Sequence, residues 1–228
     1  MQYQLNISID SAGVQQIYNQ NQAITIVKSV VSAPLNTGNL PVAWINFQPL
    51  EENTVTWIEN YNMYASTSSV VAGATIQQTS VTNAPVQTGW LYTFEDGVFT
   101  GASGGAAGTL NMLNSQGSQF TFGLSQSATV NNVAINAPLN AVPVGNNENC
   151  SFTPEENVSI FLSNVVNNGV VLSQVASNAL PVTLTSQSPI ANIGFTDSSN
   201  TFYLVTASAE SPAAFARMLR STRSRARA

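Results

Sequence analysis

The chain contains no histidine, the residue that most often serves as a general base or a metal ligand. This absence removes the Ser-His-Asp triad and the usual zinc sites together. The single cysteine, Cys150, cannot form an intramolecular disulfide and has no histidine to activate its thiol, so we expect a buried, small apolar side chain. We therefore predict a protein that is not an enzyme and that binds no metal or cofactor.

Charged side chains are also scarce. They make up 7% of the 228 residues, against roughly 25% in ordinary globular domains. The hydrophobic fraction of 43% is ordinary, so neutral amides and hydroxyls must form most of the hydrated surface. Such a surface opposes contact between copies only weakly, which favours self-association.

The few basic residues are unevenly distributed. Apart from Lys28 they all lie near the C-terminus, and the rest of the chain sets this one lysine against eleven acids, a formal charge of −10. An acidic body argues against nucleic acid binding, which requires clustered Lys and Arg, except through the tail. We expect a β-rich domain (1–209) and a basic helical or disordered tail (210–228). The tail is either a frayed, solvated end or an electrostatic contact to lipid, nucleic acid or an acidic neighbour through Arg217, Arg220, Arg223, Arg225 and Arg227.

The N-terminus lacks the features of an export signal. Residues 1–6 include neither a basic segment nor an apolar one, and no stretch approaches the ~18 apolar residues of a membrane helix. The lone cysteine agrees with a reducing compartment. We expect a protein made in the cytoplasm, which could be released only by a non-Sec route.

Polar and apolar residues alternate with a period of two along many short segments, which is typical of half-buried strands. Asp10 or Ser11 can cap a short helix after the first of them. Frequent turn residues between the segments favour an all-β fold, an antiparallel β-sandwich, with a jelly-roll or barrel as alternatives. The predicted strands are 2–9, 23–31, 42–47, 54–64, 90–94, 98–100, 119–124, 128–135, 158–166, 169–175, 181–185, 190–195 and 201–206.

Two segments in the middle of the chain have unusual compositions. Residues 65–84 mix small polar and small apolar residues without charge, as the strands of a membrane-inserting hairpin would. Residues 101–108 contain four glycines with no Lys-Ser or Lys-Thr after them, which indicates a flexible surface loop and not a phosphate-binding loop.

The acidic residues include three adjacent pairs, at 51–52, 95–96 and 155–156. Neighbours along a strand point to opposite faces, so no pair by itself provides the two facing carboxylates of a glycosidase. Acids from separate strands could still converge. Glu59 interrupts the otherwise apolar face of the predicted strand 54–64 and needs an explanation.

Aromatic side chains are the best candidates for ligand contact. Tyr64 and Tyr92 share strand faces with polar residues, so we expect them to be exposed. With Trp90 they form the predicted site for stacking on sugar rings or for contact with lipid.

Two functions fit these features. The first is a non-catalytic, surface-binding β-protein of the lectin or pore-forming toxin kind, which acts as a homo-oligomer on a glycan or membrane surface. The second is a self-assembling structural protein that forms a shell, fibre or inclusion, because strands with little charge are poorly protected from edge-to-edge pairing.

Overall fold

The computed structural model describes residues 1–33, 40–165 and 167–205, and these form two β-sheets packed face to face. The predicted all-β sandwich is confirmed. The predicted C-terminal tail with its five arginines lies outside the described residues. No helix in the described part of the chain is long and apolar enough to cross a bilayer.

The described ranges contain one short helix near the N-terminus and fifteen strands, numbered in chain order. They are β1 (Gln2–Ser8), α1 (Ser11–Asn19), β2 (Ala23–Ala33), β3 (Ile45–Phe47), β4 (Glu52–Ser66), β5 (Ser80–Val81), β6 (Trp90–Glu95), β7 (Val98–Ser103), β8 (Leu110–Asn114), β9 (Phe120–Val130), β10 (Val133–Pro138), β11 (Val142–Val144), β12 (Asn149–Ser163), β13 (Leu180–Thr183), β14 (Ile190–Thr196) and β15 (Thr201–Leu204).

The first sheet has the strand order β10-β9-β4-β1-β14-β15, with β11 beside β9 and β5 beside β4. The second has the order β3-β2-β12-β8-β6-β7, with β13 beside β12. Most neighbours are antiparallel, as predicted, but β1 pairs with β14 and β6 pairs with β8 in parallel. Both sheets are therefore mixed.

Local sequence explains the start of the fold. Tyr3, Leu5 and Ile7 alternate along β1 and are buried, so that strand contributes one full face to the core between the sheets. The Asp10 carboxylate then accepts a hydrogen bond from the Gly13 backbone N–H at 2.7 Å, which caps α1 as predicted.

Several predicted strands differ from the structure. Residues 169–175 form only isolated bridges, at Val170 and Val171. The predicted strand 128–135 is a hairpin, because Asn131 and Asn132 adopt left-handed backbone angles between β9 and β10. Residues 101–103 extend β7 and do not belong to a loop, whereas β8 and the first half of β12 were not predicted.

Two long interior strands contain bulges. Between Trp57 and Tyr61, β4 advances four residues while its partner β9 advances two, from Ala128 to Gln126. Between residues 154 and 158, β12 likewise gains two residues over β2. A bulge interrupts the two-residue alternation of side chains and redirects those within it.

Candidate functional site between the two sheets

The only lysine of the chain is buried between the sheets. Lys28 extends from β2 and is 2% exposed. Its ammonium nitrogen lies 2.7 and 2.8 Å from the two carboxylate oxygens of Glu156 on β12, and it donates to the amide oxygen of Gln126 on β9 at 2.9 Å. A charge this deep is tolerated only when its hydrogen-bonding capacity is filled, and here two sheets supply the partners.

The β12 bulge places Glu156 in this position. Its carboxylate also accepts hydrogen bonds from Trp57 Nε1 at 2.8 Å and from the Tyr61 hydroxyl at 2.6 Å. Three donors from β2 and β4 thus converge on one partly buried carboxylate. Lys28 and Glu156 form an ion pair in which the lysine side chain is inaccessible and the glutamate side chain is 13% exposed.

Aromatic rings surround the ammonium group. The ring centroids of Trp44, Trp57 and Tyr61 lie 5.6, 5.5 and 5.1 Å from Lys28 Nζ, within the range of cation–π attraction. Trp44 meets Trp57 edge to face, with centroids 5.4 Å apart. The rings shield the ammonium group from bulk solvent, which strengthens the electrostatic contacts that it makes.

The amide of Gln126 is held at both ends. Its Nε2 donates to the Ile58 carbonyl at 2.7 Å, while its Oε1 accepts from Lys28. Trp44 Nε1 donates to the Gln126 backbone carbonyl at 3.1 Å. Gln126 is 1% exposed, so its side-chain amide is held beside the lysine in a buried position.

Burial dominates the protonation of the lysine. Desolvation lowers the pKa of Lys28 to about 8, although the neighbouring Glu156 acts in the opposite direction. Desolvation, followed by the hydrogen bond to Glu156, raises the pKa of the Tyr61 hydroxyl above its usual range. The site therefore favours a neutral amine more strongly than water does.

Glu59, the acid that the alternation left unexplained, lies in the β4 bulge. It accepts a hydrogen bond from the Tyr3 hydroxyl, and this bond is the largest cause raising the pKa of Tyr3 to about 12. Glu59 and Glu156 both help to raise the pKa of Tyr61, so two acids from different strands do act on one cluster. Over the described ranges, no three His, Cys, Asp or Glu side chains form a group that could hold a metal ion.

The aromatic residues predicted to contact ligands lie elsewhere. Tyr64 is completely buried and its hydroxyl donates to the Asn140 carbonyl at 2.5 Å. The expected exposure of Tyr64 is wrong because irregular segments cover the outer face of its strand and bury it in a second small core, with Val42, Ile76, Ala141 and Val171.

Tyr92 is also not exposed as expected. It is 8% exposed, on the face of β6 that turns toward the main core with Phe94, and its hydroxyl accepts the Gln87 N–H at 2.9 Å. Trp90 is half-buried and stacks on Tyr92, with centroids 6.4 Å apart. The structure brings Trp90 and Tyr92 together and leaves Tyr64 in a separate cluster.

Cys150 is buried, as expected from the sequence. Burial raises the pKa of its thiol to about 12, so the reactive thiolate is strongly disfavoured.

The predicted membrane hairpin, residues 65–84, is mostly an irregular segment tied to the sandwich. β4 ends at Ser66. The residues that follow are hydrogen-bonded to the first sheet: Thr121 Oγ1 donates to the Ser68 carbonyl, and the Thr79 N–H donates to the Ala65 carbonyl. The N–H groups of Gly73 and Ile76 donate to carbonyls of residues 171 and 169.

The second sheet ends in an open edge strand. β7 carries no charged residue and no proline, and all its residues except Phe99 are exposed, with Val98 at 56%. Within the described ranges no strand pairs with its outer side. The ends of the first sheet, β10 and β15, also expose large apolar side chains, namely Val133, Tyr203 and Leu204.

Comparison with known proteins identifies no relative. No family model, curated protein or solved structure matches the chain. Function must therefore be inferred from its own physical features, of which the open edge and the buried lysine are the most unusual.

The sequence reasoning missed the lysine site. Its only signal was a single lysine inside the apolar run 23–31 of a chain almost free of charge. Its partners Gln126 and Glu156 are about 100 residues or more away in sequence and have no motif in common.

Proposed function

We propose that the protein is a self-assembling structural subunit whose copies join by pairing strands at open sheet edges. The observation that carries this proposal is the uncharged, exposed and unpaired edge strand β7. A strand of this kind presents a row of backbone N–H and C=O groups to a second copy.

β7 contains no lysine, no proline and no bulge, three of the usual protections of an edge strand, and the short strand β5 lies near it. Natural sheets block their edges with lysines, prolines, bulges or covering segments. Here the two bulges lie in the interior strands β4 and β12 and serve the lysine site instead. Phe99 packs against Phe94, with ring centroids 4.8 Å apart, and so attaches β7 to the core.

Several edges in one subunit allow more than a dimer. β7 ends the second sheet, whereas β10 and β15 end the first. Contacts between two different edges are head-to-tail, and such contacts extend into rings or filaments. This geometry supports a shell or fibre subunit.

The charge distribution supports assembly as well. The body opposes contact between copies only weakly, because 7% of the residues are charged. The five terminal arginines of one copy are complementary to the acidic body of another, which would strengthen contacts made by the edges.

Sedimentation velocity over a range of protein concentrations tests the proposal. The test variant combines Thr100→Lys and Ala102→Lys, which place two exposed positive charges on β7. The matched control combines Ser127→Lys and Thr129→Lys, two exposed positions of β9, an interior strand flanked by β4 and β10.

We expect the unmodified protein and the β9 variant to form larger species as concentration rises, and the β7 variant to remain smaller. A protein that stays monomeric at every concentration would refute the proposal. Equal loss of assembly in both variants would show that added charge matters and that the β7 edge does not.

The surface-binding function stays a prediction. Two of its three candidate aromatic residues, Tyr64 and Tyr92, are buried, and its candidate membrane hairpin is hydrogen-bonded to the rest of the sandwich. Vesicle dye release by the purified protein is the direct measurement for it.

A further inference from the structure

We propose that Lys28 and Gln126 condense without an external enzyme into an intramolecular amide that covalently joins the two sheets, with Glu156 as the group that accepts the lysine proton. This modification is independent of the proposed assembly, although a covalent bond inside each subunit would suit a structural protein.

The first support is the position of the lysine nitrogen beside the amide group that it attacks. Lys28 Nζ lies 2.9 Å from Oε1 of Gln126, and both side chains are almost completely buried. The hydrogen bond from Gln126 Nε2 to the Ile58 carbonyl fixes the amide while the packed rings fix the lysine. Holding two reactants together in this way is equivalent to a very high effective concentration of one beside the other.

The second support is a base in contact with the nucleophile. Both Glu156 oxygens lie within 2.8 Å of Lys28 Nζ, so the carboxylate can take the ammonium proton directly. Trp57 and Tyr61 hold that carboxylate in place. Desolvation lowers the pKa of Lys28 and so favours the neutral amine, the only form that can attack.

The step balances without any further reactant. Glu156 removes one proton from the ammonium, and the free electron pair of Lys28 Nζ attacks Cδ of Gln126. The bond between Cδ and Nε2 of the tetrahedral intermediate then breaks. The departing nitrogen takes up two protons that Lys28 Nζ originally carried, one of them by way of Glu156, and leaves as ammonium. An ammonium group and a primary amide thus become a secondary amide and an ammonium ion, with no oxidation or reduction.

The choice of Gln126 over Glu156 as acyl partner rests on chemistry. A carboxylate is a poor electrophile, and Glu156 already carries hydrogen bonds from three side chains that stabilise its charge. The Gln126 amide is neutral, and its oxygen is polarised by the lysine. An amide at Gln126 joins β2 of the second sheet to β9 of the first, so the sheets could not separate even in denaturant.

Trypsin digestion of the denatured full-length protein gives a decisive readout, because Lys28 is the only lysine and the next basic residue is Arg217. A free lysine allows cleavage and yields fragments 1–28 and 29–217. Acylation of Nζ blocks that cleavage and leaves 1–217 in one piece. The intact mass should also be lower than the sequence mass by about 17 Da, the mass of the ammonia released.

Two variants assign the catalytic group. Glu156→Gln removes the base, so we expect its mass to equal the mass calculated for that variant and trypsin to cleave at Lys28. Glu155→Gln is the matched control, because the Glu155 carboxylate accepts a hydrogen bond from Asn157 and none from Lys28. It should keep the cross-link.

The unmodified protein decides the proposal even if a variant fails to fold. The full sequence mass together with cleavage at Lys28 would overturn it. A loss of about 18 Da with the bond mapped to Glu156 would also overturn it, since water and not ammonia would have left. These masses are measured on the unfolded chain and do not depend on whether the subunits assemble.

Discussion

Buried tyrosine hydroxyls connect the parts of the molecule at the scale of single residues. Tyr3 donates to Glu59, Tyr61 to Glu156 and Tyr64 to the Asn140 carbonyl. Each ring fills space in a core while its hydroxyl donates to an oxygen of another residue. Because all three hydroxyls donate through their protons, each contact is lost when its tyrosine ionises in alkali.

Stability should fall as pH rises above about 10. The pKa of Tyr3 is raised to about 12, mainly by its hydrogen bond to Glu59, and burial raises those of Tyr61 and Tyr64 still further. Above pH 10 the unfolded chain releases tyrosine protons that the folded chain retains, so the equilibrium shifts toward unfolding. Urea unfolding at pH 9, 10 and 11 measures this, and constant stability over that range would contradict it.

The same titration bears on Lys28. If the Lys28 amine is free, its pKa is about 8 in the folded protein and 10.5 in the unfolded chain. Stability would then increase as pH rises from about 8 to 10.5, because in that range the unfolded chain binds a proton that the folded protein does not. An amide at Lys28 removes that rise and leaves only the decline caused by the tyrosines. A clear rise between pH 8 and 10 would therefore count against the cross-link.

At the scale of elements, the outer face of the first sheet depends on one close approach. Gly123 on β9 has no side chain, and a Cβ there would lie 2.2 Å from the Asn140 carbonyl oxygen and 2.7 Å from the Tyr64 hydroxyl. That space lets the segment around Asn140 lie directly on β9 and cover Tyr64. The second small core exists because these elements touch.

Gly123→Ala should lower the free energy of unfolding by about 1–3 kcal/mol, the usual cost of forcing extra volume into a packed site. Denaturant unfolding of the purified variant measures the change. Ser127→Ala, at an exposed position of the same strand, is the control and should change stability by less than about 0.5 kcal/mol. Equal values for both variants would mean that the contact between β9 and Asn140 is easily rearranged.

At the scale of the whole molecule, charge is separated along the chain. Residues 217–228 carry five arginines, whereas residues 1–216 have a formal charge of −10. Attraction between the tail of one copy and the body of another is screened by salt, whereas strand pairing and apolar contact are not. Edge and tail contributions to assembly can therefore be separated.

A protein ending at residue 209 should assemble at a higher concentration than the full chain, and added salt should reduce that difference. Sedimentation velocity in low and high salt measures both effects. The complete chain with the two lysines on β7 serves as the comparison, since it keeps the tail and blocks the edge. If truncation at residue 209 has no effect in low salt, the tail takes no part in assembly.

The sequence alone determined the local structure. Local residue patterns placed strands at 2–9, 23–31 and 190–195 and a helix cap at Asp10 or Ser11, because a strand face or a helix cap depends on residues only a few positions apart. Burial of Cys150 followed from its chemistry.

Only the tertiary structure decided which strands became neighbours and where their register shifted. Two bulges, the parallel pairs and the covering of Tyr64 all arise from segments far apart in sequence. The strand alternation around Lys28 gives no sign that Gln126 and Glu156 will meet it. Their meeting depends on long-range pairing between strands, which the two-residue period of any one strand does not encode.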